Sequence, residues 1–206
     1  MKENLKNILK YTKSSGSGYQ GKNFDTGYHT LEIDGEILQG QRNPKERLSN
    51  VPYDFSNKTV LDIGSNQGGM LFSIKDKISK GIGVDYDYRL VNSANALSGY
   101  YCSNQINFYV HNLDQDPLTL LEDYNGSKKY DIVFLLSVCM WIKSWKELIL
   151  WVSKNSTHCL FETNGNKKQQ SEQLIELKKY YNNIDLVNEK SLDDPKQHNR
   201  KLFLCY

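Results

Sequence analysis

The chain has 206 residues, 38% hydrophobic and 24% charged, which is the composition of one globular domain with room for a substantial core. Its formal net charge is +2 and no block of like charge reaches five residues, so composition argues for neither a nucleic-acid partner nor a membrane surface. Cys102, Cys139, Cys159 and Cys205 form no CxxC pair and no zinc-type Cys/His spacing, and the last three sit in or beside apolar runs. A reducing, cytoplasmic compartment is therefore expected. The opening MKENLKNILKYTK lacks the apolar stretch of a leader, and no run approaches the roughly 20 residues that cross a bilayer.

Along the chain, Leu5, Ile8 and Leu9 at helical spacing predict an amphipathic helix over residues 2–12. Ser14 to Gly18 break it. Two short alternating runs, His29–Ile33 and Glu36–Gly40, flank Asp34-Gly35, a dipeptide that tolerates positive φ and predicts a hairpin. Residues 1–55 thus read as a helix-and-hairpin cap on a body spanning 56–206, within one domain. From residue 58 short apolar runs alternate with helical stretches. Strands are expected at 58–63, 81–85, 107–111, 131–138 and 158–162, with two more at 183–189 and 201–206. Helices are expected at 68–77, 88–100, 145–154 and 172–181, with a short one ending at Tyr124. Continuous apolar strands joined through helices indicate an α/β protein whose parallel sheet is covered on both faces. The last two strands are joined by a polar stretch containing Pro195, too short for a helical crossover, so that pair should be antiparallel.

The segment Val60-Leu-Asp-Ile-Gly64-Ser-Asn-Gln-Gly68-Gly69-Met70 leaves a strand and opens a helix. Gly64 allows a sharp turn, while Gly68 and Gly69 allow close approach of backbone and ligand. Asp85 follows at the end of the second strand, where a carboxylate can accept from ribose hydroxyls. These residues resemble the first motif of the class I S-adenosylmethionine-dependent methyltransferases. Asp62, Gly64 and Gly68 match it, and Asn66 replaces the middle glycine. The resemblance covers roughly residues 50–206. It implies a Rossmann-like seven-stranded sheet with its last strand antiparallel, and S-adenosylmethionine as cofactor. By that resemblance Asp62, Gly64, Ser65, Asn66 and Gly68 would wrap the methionine moiety, with Asp85 and Tyr86 at the ribose. Asn112 and Leu113, where the family has Asp-Leu, would meet adenine, and Ser137 would line the cofactor. A dehydrogenase fingerprint fits less well, because Asn66 would stand at its second glycine.

Tyr28-His29, Gln39-Gly-Gln41-Arg42, Arg47-Leu48 and the ending Arg200–Tyr206 are similar to methyltransferases of bacterial surface-polysaccharide clusters, with a more distant likeness to enzymes modifying tRNA wobble uridine. The favoured acceptor is then a hydroxyl of a sugar or sugar-derived metabolite. An RNA methyltransferase and a non-catalytic cofactor-binding protein are the alternatives. Candidate general bases are His29, Glu162 and His198, with His111 a further imidazole at a strand end. Arg47 could pair with the cofactor carboxylate and Arg42 with an anionic acceptor group, or both could form ion pairs with Glu46 or Asp54. Tyr28, Gln41, Trp141 and Asn164 complete the expected acceptor side, with Trp141 and Trp145 readable equally as core. No metal is expected, since Asp193-Asp194 beside Pro195 read as turn chemistry. The oligomeric state is left open.

Overall fold

The protein is described from a computed structural model, which describes residues 2–10, 25–33, 35–100, 105–192 and 199–206. The central feature is a seven-stranded sheet of order β10-β11-β9-β8-β5-β6-β7. Its strands are β5 (Thr59–Ile63), β6 (Lys80–Asp85), β7 (Ile106–Val110), β8 (Tyr130–Leu136), β9 (Ser156–Glu162), β10 (Ile184–Asn188) and β11 (Leu202–Cys205). β5, β6, β7, β8 and β9 pair in parallel, whereas β11 runs antiparallel to both β9 and β10. The antiparallel ending agrees with the expectation from the short polar connection.

Alternation along the strands feeds two cores. Ile132, Phe134 and Leu136 of β8 join the cluster that holds Leu71 and Phe72 of α3 (Gly69–Ser73) and Leu97 of α4 (Tyr88–Tyr100). Val133 and Leu135 face the opposite cluster, with Leu121 of α5 (Leu120–Asp123), Leu148 and Val152 of α6 (Trp145–Asn155) and Leu177 of α7 (Lys167–Leu177). A strand buried on both sides must read as a continuous apolar run, which is why β8 was so legible.

The N-terminal elements are α1 (Lys2–Leu9), β1 (Gly27–His29), β2 (Leu31–Ile33), β3 (Glu36–Leu38), β4 (Gly40–Arg42) and α2 (Pro44–Leu48). β2 and β3 form the expected antiparallel hairpin. β1 and β4 additionally pair in parallel, with His29 opposite Arg42. Leu5, Leu9, Leu31, Ile33 and Leu38 belong to the same buried cluster as α3 and α4. Asn43 caps α2, its side chain accepting from Lys45 N and Glu46 N, with Pro44 opening the helix.

Two helices differ from expectation. α7 begins at Lys167 and ends at Leu177, where the sequence suggested 172–181. Its start is fixed by a capping box: Asn166 accepts from Gln169 N while the Gln169 side chain accepts from Asn166 N. α3 stops at Ser73 because the chain tightens there, with Ile74 N bonding Leu71 O and Lys77 N bonding Ile74 O. His198, Asp193, Asp194, Cys102 and the Ser14–Gly18 break lie outside the described residues, as does Asp34 of the hairpin turn. Cys139, Cys159 and Cys205 are buried free thiols. Among the described residues no helix is long and apolar enough to cross a membrane, and no group of three His, Cys, Asp or Glu could hold a metal ion.

Candidate active site

The sheet order reverses beside β5: β6 and β7 lie to one side, β8 and β9 to the other. Open α/β sheets bind ligands in the crevice outside the carboxyl ends at such a point. The loop from β5 to α3 occupies it. Gly64, Asn66 and Gly68 are all left-handed, with φ of 77°, 52° and 79°. Asn is the side chain that best tolerates this region after glycine, which accounts for Asn66 in the middle position. Space is equally restrictive: a Cβ at Gly64 would lie 2.6 Å from Val138 Cγ1, and one at Gly68 would lie 2.4 Å from Phe108 Cζ.

Asp85 holds this loop from the neighbouring strand. Its Oδ2 accepts from Asn66 N at 3.0 Å and its Oδ1 from Asp87 N at 3.0 Å. Burial raises its pKa, opposed by those backbone donors. Tyr86, the next residue, is 74% exposed at the rim. Asp62 is buried at the end of β5, and burial raises its carboxyl to about 7, with Arg47 opposing and Asp85 adding to the shift. Asp62 Oδ2, Ser65 Oγ and both ring nitrogens of His111 are buried with no hydrogen-bond partner. His111 follows β7, its backbone N bonded to Asp85 O at 2.9 Å, and burial lowers its pKa. Orphaned buried polar atoms in a native site call for a ligand group or water. Their spread, from the end of β5 to the end of β7, suits an elongated ligand with several polar groups.

Beyond β7, the Asn112 side chain accepts from Asp114 N at 3.0 Å and Asn112 N donates to Asp116 Oδ2 at 2.7 Å. The carboxamide oxygen of Asn112 is thus engaged in its own turn. Leu113 is partly buried against the second core.

On the other side of the crevice the carboxyl ends of β8 and β9 are locked together. Ser137 has φ of 63°, and its N donates to Glu162 O at 3.1 Å while its hydroxyl donates to Glu162 Oε2. Asn164 Nδ2 donates to Ser137 O, and Asn164 Oδ1 accepts from Met140 N at 3.1 Å. Asn164 therefore clamps the turn that follows β8, at whose end Trp141 stands 72% exposed. Trp145, by contrast, packs partly buried against the second core.

Glu162 is also where the cap meets the sheet. Arg47 Nε donates to Glu162 Oε1 at 3.2 Å and its Nη2 to Oε2; Arg42 Nη2 donates to Oε1 at 3.4 Å and to Ser191 Oγ at 3.2 Å. All three charged residues are buried. Burial alone would raise the Glu162 pKa, but Arg47, Arg42 and the Ser137 hydroxyl outweigh it and hold the group below its ordinary value. Among the described residues, the ion pairs of both arginines run to Glu162 and not to Glu46 or Asp54. The sequence marked these residues singly; their assembly around one carboxylate was not visible, because Arg42 and Arg47 lie 120 and 115 positions from Glu162.

The cap reaches the glycine loop by two more contacts. Gln67 Nε2 donates to Thr26 O at 2.9 Å. A Cβ at Gly69 would lie 2.5 Å from His29 Cβ, so the buried His29 rests directly on the first turn of α3. Tyr28 stacks tilted beside it, ring centroids 4.5 Å apart, and Gln41 precedes Arg42 on β4. Thr26 and Gln67 were not singled out from sequence. Nothing local marks them, since their roles arise only when the cap docks.

The family model for the methyltransferase domain matches residues 37–198. No curated protein matches the chain. Among solved structures, the N-terminal domain of EvdMO1, crystallised with SAH bound, superposes with a TM-score of 0.70 at 9% identity, covering 100% of this chain and 96% of that domain. The match spans 47% of the longer EvdMO1 chain. WbdD, co-crystallised with the kinase inhibitor LY294002, gives a TM-score of 0.64 at 17% identity over 81% of this chain and 41% of WbdD. Magnesium protoporphyrin IX methyltransferase from Synechocystis PCC 6803, with bound SAM, gives 0.54 at 13% identity over 74% of this chain and 71% of its own. At such identities the likeness is one of fold, while the family match covers most of the chain and agrees with the glycine loop and strand order. The chain belongs to the methyltransferase-domain family, with the fold of solved structures that hold SAH or SAM.

Proposed function

We propose that the chain transfers the methyl group to a hydroxyl of a sugar or sugar-derived metabolite. The observation that carries this reading is the position of the cap. His29 rests on Gly69, while Arg42 and Arg47 close on Glu162, so the segments similar to polysaccharide methyltransferases border the cofactor crevice. The EvdMO1 domain, similar in fold, has been crystallised in the presence of SAH and D-fucose. The exposed Trp141 offers a flat apolar face of the kind that suits a sugar ring. The net charge of +2 gives no support of its own to an RNA acceptor.

S-adenosylmethionine supplies an activated methyl on a sulfonium. The chain's residues would then bind, orient and deprotonate. The left-handed loop and Asp85 hold the cofactor, with Asp62, Ser65 and His111 offering their unmatched polar atoms. Tyr86, Leu113 and Asn112 border it at the β6 and β7 ends. Holding acceptor and donor in line is the main source of acceleration. His29 takes the hydroxyl proton, a step worth roughly 10²–10⁴-fold for a positioned base. Glu162 serves as a positioning residue, since both its oxygens already accept from arginine. Asn164 positions the Trp141 turn.

Radiolabelled methyl transfer from S-adenosylmethionine into a series of monosaccharides, nucleotide sugars and bulk tRNA tests the reading. Label in carbohydrate is expected. Label in tRNA alone overturns the acceptor assignment, and tight SAH binding without transfer to anything would mean a non-catalytic binder. His29→Ala should lower the transfer rate roughly 10²–10⁴-fold with SAH affinity retained, whereas Glu162→Gln should lower it less. The reverse pattern would make Glu162 the base.

A further inference from the structure

The cap and α3 enclose a second space beside the crevice. The β2–β3 hairpin stands off from α3 and leaves a cleft of about 370 Å³, within the size range of ligand pockets. Its inner end is Gly69, directly after the loop glycine Gly68, and it runs outward past Ser73 to Lys75 and Asp76.

The lining chemistry narrows the ligand. Thr30, Ser73 and Gln39 line the cleft together with charged groups that cancel. Lys45 pairs with Glu32 at 2.5 Å and Lys75 with Asp76 at 2.7 Å. A phosphate or polyanion would find no excess of positive charge and would have to displace a carboxylate. A flat aromatic ligand would find walls too polar, since such pockets are predominantly apolar. A neutral polyhydroxylated ligand matches both counts: each hydroxyl can donate and accept, and Ile37, 48% exposed, offers an apolar patch to the C–H face of a ring.

The cleft borders the proposed transfer site at Gly69. The residue that closes its inner end, Gly69, is the one on which His29 rests. A saccharide presenting its terminal hydroxyl to His29 can therefore lay its preceding rings between the hairpin and α3. We propose that this cleft is an extension subsite for neutral sugar residues, so that the acceptor is an oligosaccharide and not a monosaccharide. The proposal rests on the carbohydrate reading above.

The test is two-dimensional NMR of the SAH-bound full chain, titrated with neutral hexasaccharides of glucan, mannan, galactan and rhamnan type. Wild type is compared with Gln39→Trp, which fills the cleft, and with Ile37→Ala, which trims an exposed side chain and should leave folding intact. At least one saccharide should shift the amides of residues 30–39 and 69–76. Its affinity should fall about tenfold in Gln39→Trp and about threefold in Ile37→Ala, with SAH affinity unchanged. Absence of those shifts throughout the series, or equal affinity in wild type and Ile37→Ala, overturns the subsite. Methyl-transfer assays separate the two proposals. Turnover of mono- and hexasaccharide with the same KM in wild type and Ile37→Ala keeps the carbohydrate acceptor and removes the subsite, whereas transfer to tRNA alone with no saccharide shifts removes both.

Discussion

Asp62 of β5 and Glu162 of β9, both buried towards the carboxyl ends of strands that flank β8, are driven in opposite directions by what surrounds them. For Asp62 burial dominates and the folded carboxyl sits near 7, above its unfolded value, so the folded state binds a proton more readily. Stability contributed this way is present at low pH and lost as pH rises from about 4 through 7. In scanning calorimetry without cofactor, Asp62→Asn should remove that loss. The gap between variant and wild-type Tm should widen by on the order of 5 °C between pH 5 and pH 8, then stay level. Parallel curves would place the Asp62 carboxyl elsewhere. For Glu162 the arginines and Ser137 win over burial, and the folded pKa lies below the unfolded one. Its contribution is present above the unfolded value and lost as pH falls through the folded one. Glu162→Ala removes the buried carboxylate that Arg42 and Arg47 share. Loss of one member of a buried pair typically costs about 3–5 kcal/mol, which urea denaturation should register as a lower midpoint at unchanged slope.

At the scale of elements, the glycine loop is held by conformation and by space, and the two can be separated. Gly64 needs a left-handed backbone and leaves no room for a Cβ beside Val138. Gly64→Ala should therefore weaken SAH binding by calorimetry about 100-fold or more, combining roughly 1–2 kcal/mol of backbone strain with the steric clash. Adding Val138→Ala removes the contact at 2.6 Å and should restore part of that affinity, with the backbone strain remaining. No recovery would mean that conformation alone sets the requirement. The loop was legible in the sequence because glycine and asparagine are confined there by sterics, and β8 was legible because two cores demand an unbroken apolar run. The Asn166/Gln169 capping box was equally local, but the more apolar stretch after Gln170 drew the expected helix start too far along. The β1–β4 pairing was out of reach: three residues on each side carry no period, and the pair exists only because Gly40 lets His29 come close. The Arg42–Arg47–Glu162 cluster was hidden for a similar reason, since charge partners are chosen by the tertiary fold and not by spacing.

For the whole molecule, the question is whether the cap is an accessory to the sheet or a part of it. Leu31, Ile33 and Leu38 of the hairpin share one buried cluster with Phe72, Phe108 and Phe134 of the α3 side of the sheet. Leu5 and Leu9 of α1 are buried in the same cluster, and Ser93 on α4 donates to Ile8 O at 3.2 Å. Glu162 contributes the charge partner of two cap arginines. Removing residues 1–43 would expose an apolar face of α3 and α4 and leave Glu162 with Arg47 but without Arg42. Each large side chain uncovered forfeits about 1.5–3 kcal/mol, so a few of them together are comparable to the whole stability of an ordinary domain. The full chain should therefore lose near-UV and far-UV circular dichroism in one coincident transition, and SAH should shift both signals together. The chain lacking residues 1–43 should keep secondary structure without fixed tertiary packing, and it should bind SAH at least 100-fold more weakly. A truncated chain that unfolds cooperatively and binds SAH normally would show instead that the sheet with its glycine loop is self-sufficient, and that the cap serves the acceptor alone.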